Sequence, residues 1–346
     1  MKALSKTKAA TIYAVAQRAG VSIATVSRAL RDSDLVTAET RARVRAAAEE
    51  LHFTPNRLGR SLAEGRHAAN GIVFPELVGP YYAEVVLGYE ATAAELGSSV
   101  LILTTRGRRD PVAAVRDLAA RVDGLTVMGQ TVGDDVVGSI AATGLPLVLL
   151  ARPPVPGVDT VRAGNARTAR ALTAHLIAHG HRRFAFLGDP AGAPDVAGRY
   201  AGFKAGLVGG GLDVPAPVPC GFDLLSGQAA ADALWRDPPD AVVCGNDEIA
   251  LGVLLAAEAA GLSVPDDVAV TGWDDLLAAR FAHLTTVRQP MRELGATAAR
   301  WLHGRIAERT TDRAGDRPVA ARRRILDTQL VVRRSCGTHP PEVHPS

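Results

Sequence analysis

The sequence predicts a small all-α headpiece of helix-turn-helix type, followed by an α/β core of two lobes, each built on a doubly wound parallel sheet. Within residues 11–30, two short helical patterns meet at a Gly20-Val21-Ser22 corner. From Gly71 onwards, apolar runs of strand length alternate with alanine-rich helical runs, in two successive series. Continuous apolar strands between amphipathic helices are typical of a parallel sheet covered on both faces. At 346 residues the chain is also too long for one compact core.

The headpiece is predicted to contain three helices. Thr11 and Ser22 stand where they can cap the first two, and Gly20 supplies the left-handed backbone that a tight corner needs. Thr37 is placed to cap a third helix that runs to about residue 52. The apolar positions that should form a common core are Ile12, Val15, Ala16, Ala19, Val26, Ala29, Leu30, Val44, Ala47, Ala48 and Leu51. Arg41 and Arg45 are expected on the outer face of the third helix.

The outer face of the second helix is expected to contact DNA. Apart from one isoleucine its side chains are small or hydrogen-bonding, and they are Ser22, Ile23, Ala24, Thr25, Ser27 and Arg28. A helix whose N-terminal end enters the major groove has such a face. Residues 1–70 hold 12 Lys and Arg against 6 Asp and Glu, whereas the rest of the chain holds 27 against 30. The positive charge is therefore concentrated around the helix-turn-helix, as phosphate binding requires.

A hinge helix and linker are predicted over residues 55–68, after a headpiece that spans 1–54. Pro55 suits the first turn of a helix, Gly65 suits its end, and Leu58 and Leu62 are four residues apart. A helix of one to two turns is unstable alone because nucleation is unfavourable. It should therefore form only against a partner, such as DNA together with a second copy of itself.

The core is predicted to span residues 69–336. In the first series the expected strands are 71–75, 100–104, 124–128 and 145–150, and the expected helices are 81–96, 111–121 and 134–143. In the second series the expected helices are 165–179, 196–208, 226–236 and 247–260, and the expected strands are 183–188, 218–221, 241–245 and 268–272. A helix over 291–309 and a final strand over 323–333 follow. The first lobe then comprises about 69–160 and 288–333, the second about 161–287, and residues 337–346 form a disordered tail.

Composition and motifs argue against several other classes of protein. The longest apolar runs are too short to span a membrane and no signal-peptide segment is evident, so a cytoplasmic protein without membrane contact is expected. Three cysteines predict no disulfide framework, and Cys220 and Cys244 are expected to be buried apolar fillers. His175, His179 and His181 have a spacing that could hold a metal, but a structural role is favoured. No nucleophile–base motif or phosphate loop is present, so the expectation is no enzyme, no catalytic residue, no metal and no cofactor.

The order of motifs resembles the LacI–GalR family of transcriptional regulators over essentially the whole chain. The motifs lie at residues 13–28, 36–44, 55–62, 197–203, 245–252, 272–275 and 284–290. The resemblance implies a periplasmic-binding-protein-like core with a small-molecule effector, most often a sugar, in the cleft between its lobes. It also implies a repressor that binds a palindromic double-stranded DNA operator as a homodimer. A transport-type solute-binding protein shares the core, but the headpiece and the missing signal peptide argue against it.

The DNA-binding positions that the resemblance implies are Thr11, Tyr13, Ser22, Ile23, Ala24, Thr25, Ser27, Arg28, Asn56, Arg57 and Leu62. Ile23 and Ala24 stand at the positions that most vary operator preference, and Arg28 suits a bidentate contact with guanine. Two copies of Leu62 would enter the minor groove at a central CG step and kink the duplex. The alternative for Leu62 is that it packs one hinge helix on the other, as Leu58 is expected to do.

The effector-binding positions that the resemblance implies are Tyr81, Tyr82, Asp195, Arg199, Phe222, Asn246 and Asp274. Arg199 and Asp274 match paired polar anchors, which can grip hydroxyl or carboxylate groups with charge-assisted hydrogen bonds. Core packing is an equal alternative for Tyr82. The chain departs from the family pattern at Ala151 and Gly164, where many members have acidic residues. A sugar is the first choice of effector, while a less hydroxylated or an anionic one stays open, as does a dimer against a tetramer.

Overall fold

A computed structural model of the chain describes residues 11–30, 32–53, 67–311 and 320–337. The chain divides between His67 and Ala68 into two compact units. The predicted hinge helix and almost all of the predicted tail lie outside the described residues. No helix within the described ranges is both long enough and apolar enough to cross a bilayer.

The first unit contains the three predicted helices: α1 (Ile12–Ala19), α2 (Ile23–Ala29) and α3 (Ala38–Glu50). The predicted caps are confirmed, because the hydroxyls of Thr11, Ser22 and Thr37 accept from the backbone N–H groups three residues later. The predicted core is confirmed too, with Val15, Val26 and Val44 fully buried. Helical spacing alone therefore decided which face of each helix is inside.

The corner between α1 and α2 turns at Gly20, whose φ of 66° lies in the left-handed region that favours glycine. The predicted outer position of Arg41 is wrong, because its side chain is only 25% exposed. Its Nη2 donates to the carbonyls of Ser33 (2.9 Å) and Val36 (3.2 Å). The loop between α2 and α3 leaves these carbonyls without helical partners, and the guanidinium satisfies them.

In the second unit, the first lobe is built on a sheet of six parallel strands. The strands are β1 (Ala69–Phe74), β2 (Ser99–Thr104), β3 (Gly124–Met128), β4 (Leu147–Leu150), β5 (Asp159–Ala163) and β10 (Arg323–Leu326), in the spatial order β2-β1-β3-β4-β5-β10. The helices α4 (Pro80–Glu95), α5 (Pro111–Ala119) and α6 (Asp134–Ala141) connect the strands. Side chains alternate across β1, so Ile72 and Phe74 lie in one core layer and Val73 lies in the other.

The second lobe has a parallel sheet in the order β6-β7-β8. Its strands are β6 (Phe184–Leu187), β7 (Ala241–Cys244) and β8 (Ala269–Thr271), and its helices are α7 (Asn165–Ala178), α8 (Pro194–Gly209), α9 (Leu224–Asp232), α10 (Asp247–Ala259) and α11 (Leu277–Phe281). The predicted strand at 218–221 is wrong, because it makes only an isolated bridge from Val218 to Leu187. The helices α9 and α10 are held close by Gly252, where a Cβ would lie 2.1 Å from the carbonyl oxygen of Leu224.

The chain passes between the lobes after β5, after β9 (Thr286–Arg288) and after β10, and it then forms β11 (Gln329–Val331) beside β9. The helix α12 (Met291–Thr311) agrees with the predicted helix there. The predicted single strand over 323–333 is wrong: β10 pairs with β5, whereas β11 pairs antiparallel with β9. Between them Thr328 donates its hydroxyl to the carbonyl of Gly164 at 2.7 Å.

Sheet pairing bears on the predicted division between the lobes. The predicted boundary at residues 160 and 161 falls inside β5, whose two partners β4 and β10 belong to the first sheet. Likewise β11, predicted with the first lobe, pairs with β9, and Cys336 lies in a core cluster with Phe186 and Phe203 of the second lobe. Strand β5 was not predicted, because its charged and polar residues Asp159, Thr160 and Arg162 break the apolar pattern.

Candidate functional site

The predicted DNA-contacting face of the headpiece is open to solvent. Tyr13 is 69% and Ile23 39% exposed, and Ser22, Ala24 and Arg28 are exposed as well. Thr25 and Ser27 are half-buried. The hydroxyls of Ser22 and Thr25 lie 2.9 Å apart, and that of Ser22 also accepts from the N–H of Thr25 at 3.1 Å, so this pair closes the first turn of α2. The side chains available to a partner are thus the short ones beside the helix start, with Arg28 one turn further on.

The remaining predicted DNA contacts are divided between described and undescribed parts of the chain. Thr11 is exposed and caps α1 through its hydroxyl, 3.3 Å from the N–H of Ala14. Asn56, Arg57 and Leu62 lie outside the described residues. Their roles stay predictions.

One cavity of about 180 Å³ in the second unit brings together every predicted effector-binding residue. The residues so placed are Tyr81, Tyr82, Asp195, Arg199, Phe222, Asn246 and Asp274. They come from segments on both lobes that are up to 193 positions apart in the chain, as the numbers of Tyr81 and Asp274 show. The wall also contains Ala151, one of the two departures from the family pattern, whereas Gly164 is not part of it.

Four helix N-termini meet at this cavity, which explains its polar character. The lining includes first-turn residues of α4 (Tyr81), α8 (Asp195) and α10 (Glu248), together with Asp223, the N-cap of α9. The N–H groups of a helix start are not used inside the helix and carry a partial positive charge. Carboxylates and hydrogen-bond acceptors are therefore stabilised there.

Arg199 is 5% exposed and is held on three sides by the protein. Its Nε donates to the Asn165 Oδ1 at 3.2 Å, and its Nη1 donates to the Gly245 carbonyl at 2.5 Å. The guanidinium also lies over the ring of Trp273, with 4.9 Å from Cζ to the ring centroid. These contacts fix the direction of the guanidinium before any ligand binds.

Asp274 is 3% exposed and accepts from the Gln289 Nε2 at 2.5 Å. Burial raises the pKa of its carboxyl to about 8, although the nearby Arg199 opposes the shift; the negative charges of Asp247 and Glu248 add to it. The group can therefore accept or donate a hydrogen bond near neutral pH, according to its protonation. Both predicted polar anchors, Arg199 and Asp274, are thus held in place by contacts with neighbouring residues.

Two other acids of the cavity also have raised pKa values. Burial raises the pKa of Asp195, while Arg199 and the Asn165 Nδ2, which donates to its Oδ1 at 2.8 Å, oppose that effect. Burial likewise raises the pKa of Glu248, with the charges of Asp223 and Asp247 adding to it. Carboxyl groups shifted by desolvation inside a cavity are typical of binding and catalytic sites.

The tyrosines form the apolar part of the cavity. The rings of Tyr81 and Tyr82 meet edge to face with centroids 5.4 Å apart, and Tyr82 packs on Phe74 in the same manner at 5.8 Å. Tyr82 thus both packs on the core and lines the cavity, so the two interpretations are compatible. The Tyr81 hydroxyl is buried and has no hydrogen-bond partner among the described residues. A buried hydroxyl without a partner is costly, and a ligand group could satisfy it.

Backbone strain is concentrated in the same place. Gln130, Ala151 and Asp274 line the cavity with φ values of 62°, 52° and 123°, in a region that side-chain-bearing residues rarely adopt. Such conformations cost free energy and persist where the surrounding fold imposes them, most often at functional sites.

Sequence reasoning missed several polar residues of the cavity. Glu76, Arg106 and Gln130 line it, directly after the ends of β1, β2 and β3, and Glu248 follows Asn246 at the start of α10. The signal was available, because the carboxyl ends of neighbouring parallel strands meet at one edge of a sheet, where ligands bind. Glu76 and Arg106 form an ion pair of 2.7 Å there.

Asp247 does not line the cavity, but it stabilises the elements that form its wall. Its carboxylate accepts from the Thr286 hydroxyl at 2.5 Å and from the Leu276 N–H at 2.8 Å. The helix α10 is capped by Asn246, whose Oδ1 accepts from the Ile249 N–H at 2.9 Å and whose Nδ2 donates to the Phe222 carbonyl. Asp247 ties α10 to the loop that contains Asp274.

The histidine motif at the end of α7 packs against the end of the described chain. The His175 Nε2 lies 3.4 Å from the Cys336 Sγ, and the His181 Nε2 lies 3.1 Å from the Cys336 carbonyl oxygen. The described residues contain no group of three or more His, Cys, Asp or Glu that could hold a metal ion. Of the other cysteines, Cys244 is buried as predicted and Cys220 is only half-buried.

Comparisons with known proteins cover nearly the whole chain. Residues 11–56 match the family of bacterial regulatory proteins named after lacI, and residues 173–336 match the periplasmic binding protein-like domain. The HTH-type transcriptional repressor CytR of Escherichia coli (strain K12) is 32% identical over 98% of this chain and 100% of its own length. The HTH-type transcriptional regulator CelR of Thermobifida fusca is 33% identical over 94% of this chain and 98% of its own.

Two solved structures are similar along nearly the full length. One is the lac repressor dimer bound to operator and the anti-inducer ONPF, with a TM-score of 0.83 and 28% identity, covering 96% of this chain and 100% of that one. The other is a complex of the transcriptional regulator CelR with cellobiose, with a TM-score of 0.70 and 31% identity, covering 94% and 99%.

Proposed function

Because the chain belongs to the lacI family of bacterial regulatory proteins, we propose that it is a transcriptional repressor. Its affinity for a palindromic operator would be controlled by a small molecule bound in the cavity described above. It is a DNA-binding transcriptional regulator and not an enzyme. Its working form would be a homodimer in the cytoplasm, since one headpiece contacts only half of a palindrome. The headpiece (1–54) would contact DNA and the core (69–336) would bind the ligand. The hinge (55–68) would couple ligand binding to DNA binding.

The observation that supports this proposal best is the convergence of seven effector positions on one cavity. A cavity lined by aromatic rings, two rigid polar anchors and helix N-termini is suited to a small polar ligand. A sugar or related metabolite is the proposed effector, because hydroxyl groups can both donate to the carboxylates and accept from the guanidinium. The bound ligand would favour one arrangement of the two lobes, so that ligand and operator affect each other's affinity reciprocally.

In the headpiece, we assign base contacts to Ile23, Ala24 and Arg28 and phosphate contacts to the hydroxyl-bearing residues around them. The proposed phosphate contacts are Thr11, Tyr13, Ser22, Thr25 and Ser27 in the headpiece and Asn56 and Arg57 in the hinge. Leu62 would enter the minor groove at a central CG step. Leu62→Ala should then weaken operator binding and leave effector binding intact; operator affinity equal to that of the unchanged protein would contradict the assignment.

Exposed apolar side chains on the second unit support the homodimer. In the second lobe Leu225, Leu277 and Phe281 are 72%, 68% and 80% exposed. In the first lobe Leu87 on α4 is 50% exposed, and Ile102 on the edge strand β2 is 45% exposed. Large apolar side chains that are this exposed are candidates for a protein–protein contact. A second copy of the chain, related by a two-fold axis, would cover it.

The proposal is tested by a thermal-unfolding screen of the full chain against sugars and related metabolites, followed by operator-binding assays with palindromes near its own gene. We expect at least one compound to raise the unfolding temperature and to change operator affinity by roughly 5- to 150-fold, the range of ordinary allosteric coupling. If stabilising compounds leave DNA binding unchanged, the cavity does not control the headpiece.

A further inference from the structure

The side chains that line the effector cavity are unbalanced in charge. Among the described residues, five lining side chains are carboxylic acids and two are guanidinium groups. The acids are Glu76, Asp195, Asp223, Glu248 and Asp274, and the basic residues are Arg106 and Arg199. No lysine or histidine is found in that lining. An uncompensated excess of acids in a partly desolvated cavity disfavours an anionic ligand and favours a cationic one.

Both arginines already have partners in the protein. Arg106 is paired with Glu76 at 2.7 Å, and Arg199 donates to Asn165 and Gly245 while it stacks on Trp273. Three of the other acids are similarly engaged: Asp223 accepts from the N–H and the hydroxyl of Ser226, Asp195 accepts from Asn165, and Asp274 accepts from Gln289 through its Oδ1. Glu248 has no hydrogen-bond or ion-pair partner among the described residues, and the second carboxyl oxygen of Asp274 has no hydrogen bond there, so both can still bind a ligand.

The helix N-termini at the cavity do not reverse this balance. The partial positive charges of α8, α9 and α10 are each met by an acid in the first turn or at the cap, namely Asp195, Asp223 and Glu248. The helix α4 has no acid in its first turn, but it begins with Pro80, which has no N–H to offer. The helix N-termini are therefore poor sites for an anionic ligand, because three of them already have an acid beside them and the fourth begins with proline.

The Glu248 carboxylate lies close to a loop of the opposite lobe. A Cβ at Gly79, in the loop before α4, would lie 2.5 Å from the Glu248 Oε2. Because Gly79, with a φ of 87°, has no side chain, it leaves room for the carboxylate in the cavity wall. Burial raises the pKa of both Glu248 and Asp274 and neighbouring negative charges add to the shift, while Arg199 opposes it at Asp274; a bound cation would favour the ionised form of both groups.

We propose that the effector bears a positively charged amino group, which the carboxylates of Glu248 and Asp274 receive beside the aromatic rings of Tyr81 and Phe222. This inference rests on the proposed function and narrows the effector to an amino sugar or another polar amine. The carboxylates supply charge-assisted hydrogen bonds, and the ring faces add cation–π attraction. An acidic sugar of the same shape is excluded by repulsion from the same two residues.

The test uses matched sugar triplets that differ in one substituent. Glucose, glucosamine and glucuronate form one triplet, and galactose, galactosamine and galacturonate form the other. We expect an amino member to bind the full chain at least about tenfold more tightly than its neutral counterpart and to exceed the acidic one by more. A neutral or acidic member that binds as well as the amino member overturns the inference, and so does a failure of both amino sugars to bind.

Proton release distinguishes a bound ammonium group from simple hydrogen bonding. A cation that binds beside Asp274, whose pKa lies at about 8, should shift that carboxyl to its ionised form and release up to one proton near pH 7. Calorimetry in two buffers of different ionisation enthalpy measures this release. Affinity for the amino sugar should also rise from pH 6 to pH 8. A pH-independent affinity without proton release contradicts the proposal.

Glu248→Gln should reduce the preference for the amino over the neutral member by about tenfold, because the amide keeps the shape but loses the charge. Glu258→Gln is the matched control, as it lies on the same helix α10 and is exposed outside the cavity. If both variants keep the original preference, Glu248 does not receive the amine. The proposed function survives that result as long as some neutral compound alters operator binding, so the two failures can be told apart.

Discussion

The proposed DNA-contacting face of the headpiece and the proposed effector cavity of the core place polar groups in opposite surroundings. On the headpiece, Ile23 is 39% exposed, and ion pairs such as Arg18–Glu50 lie in solvent with more than half of each side chain exposed. In the cavity, Arg199 and Asp274 are 5% and 3% exposed. Surface ion pairs contribute little to stability, whereas buried charges are costly unless each has a partner.

This difference in burial determines how far the binding residues of each region depend on one another. On the headpiece the proposed base contacts are the exposed side chains of Ile23, Ala24 and Arg28, which can change with little effect on their neighbours. The cavity depends on groups that hold one another, as Gln289 holds Asp274 and Asn165 holds both Arg199 and Asp195. We therefore expect substitutions at these exposed headpiece positions to act on DNA binding alone, and substitutions in the cavity to act on ligand binding and stability together.

The largest effect is expected for Asp274→Asn. The amide preserves the contact with Gln289 but cannot carry the negative charge, so affinity for the most stabilising effector should fall by about 100-fold. Calorimetric titration measures the change, with the exposed Asp213→Asn as control. Unchanged affinity would mean that Asp274 is a structural residue only.

Arg28→Ala is expected to weaken specific operator binding by roughly 10- to 100-fold, because a bidentate contact with a base would be lost. Fluorescence anisotropy with the operator and with a scrambled duplex measures the specific part. Effector affinity in the absence of DNA should not change, since the residue is exposed on the headpiece. Equal losses on both duplexes would show that Arg28 contacts phosphate instead of a base.

The pH dependence of stability should differ between the protein and its Asp274→Asn variant. The pKa of Asp274 is raised to about 8 by burial, in the presence of Arg199, Asp247 and Glu248, against an ordinary value near 4. The folded state then binds more protons than the unfolded state between these values, so this carboxyl makes stability fall as pH rises from about 4 to 8. Between pH 5 and pH 8 the Tm of the variant, relative to that of the unchanged protein, should rise by roughly 7 to 14 °C. Parallel Tm curves would rule out such a shift.

The smallest effect is expected for Tyr81→Phe. Its buried hydroxyl has no partner among the described residues, so removing it should raise the Tm of the free protein slightly. Effector affinity should fall by about three- to tenfold, the value of one neutral hydrogen bond. If the affinity does not change, the hydroxyl does not contact the ligand.

The headpiece was predictable because each of its features depends on residues close in the chain. Thr11, Ser22 and Thr37 cap helices through N–H groups three residues away, and Gly20 turns a corner between adjacent helices. Arg41 is the exception, since its partners are carbonyls in a loop whose course the helical pattern does not describe.

In the core, the alternation of strands and helices was read from apolar runs, and the seven effector positions came from family resemblance. The polar strand β5, the division of residues 323–333 between two sheets and the cavity roles of Glu76, Arg106 and Glu248 were not foreseen. These features depend on which strands become neighbours and on which loops meet at their ends. Local spacing thus determined the helices, the caps and the class of fold. Only the packing of distant segments decided which carboxyl groups are buried together, and burial is what raises their pKa values.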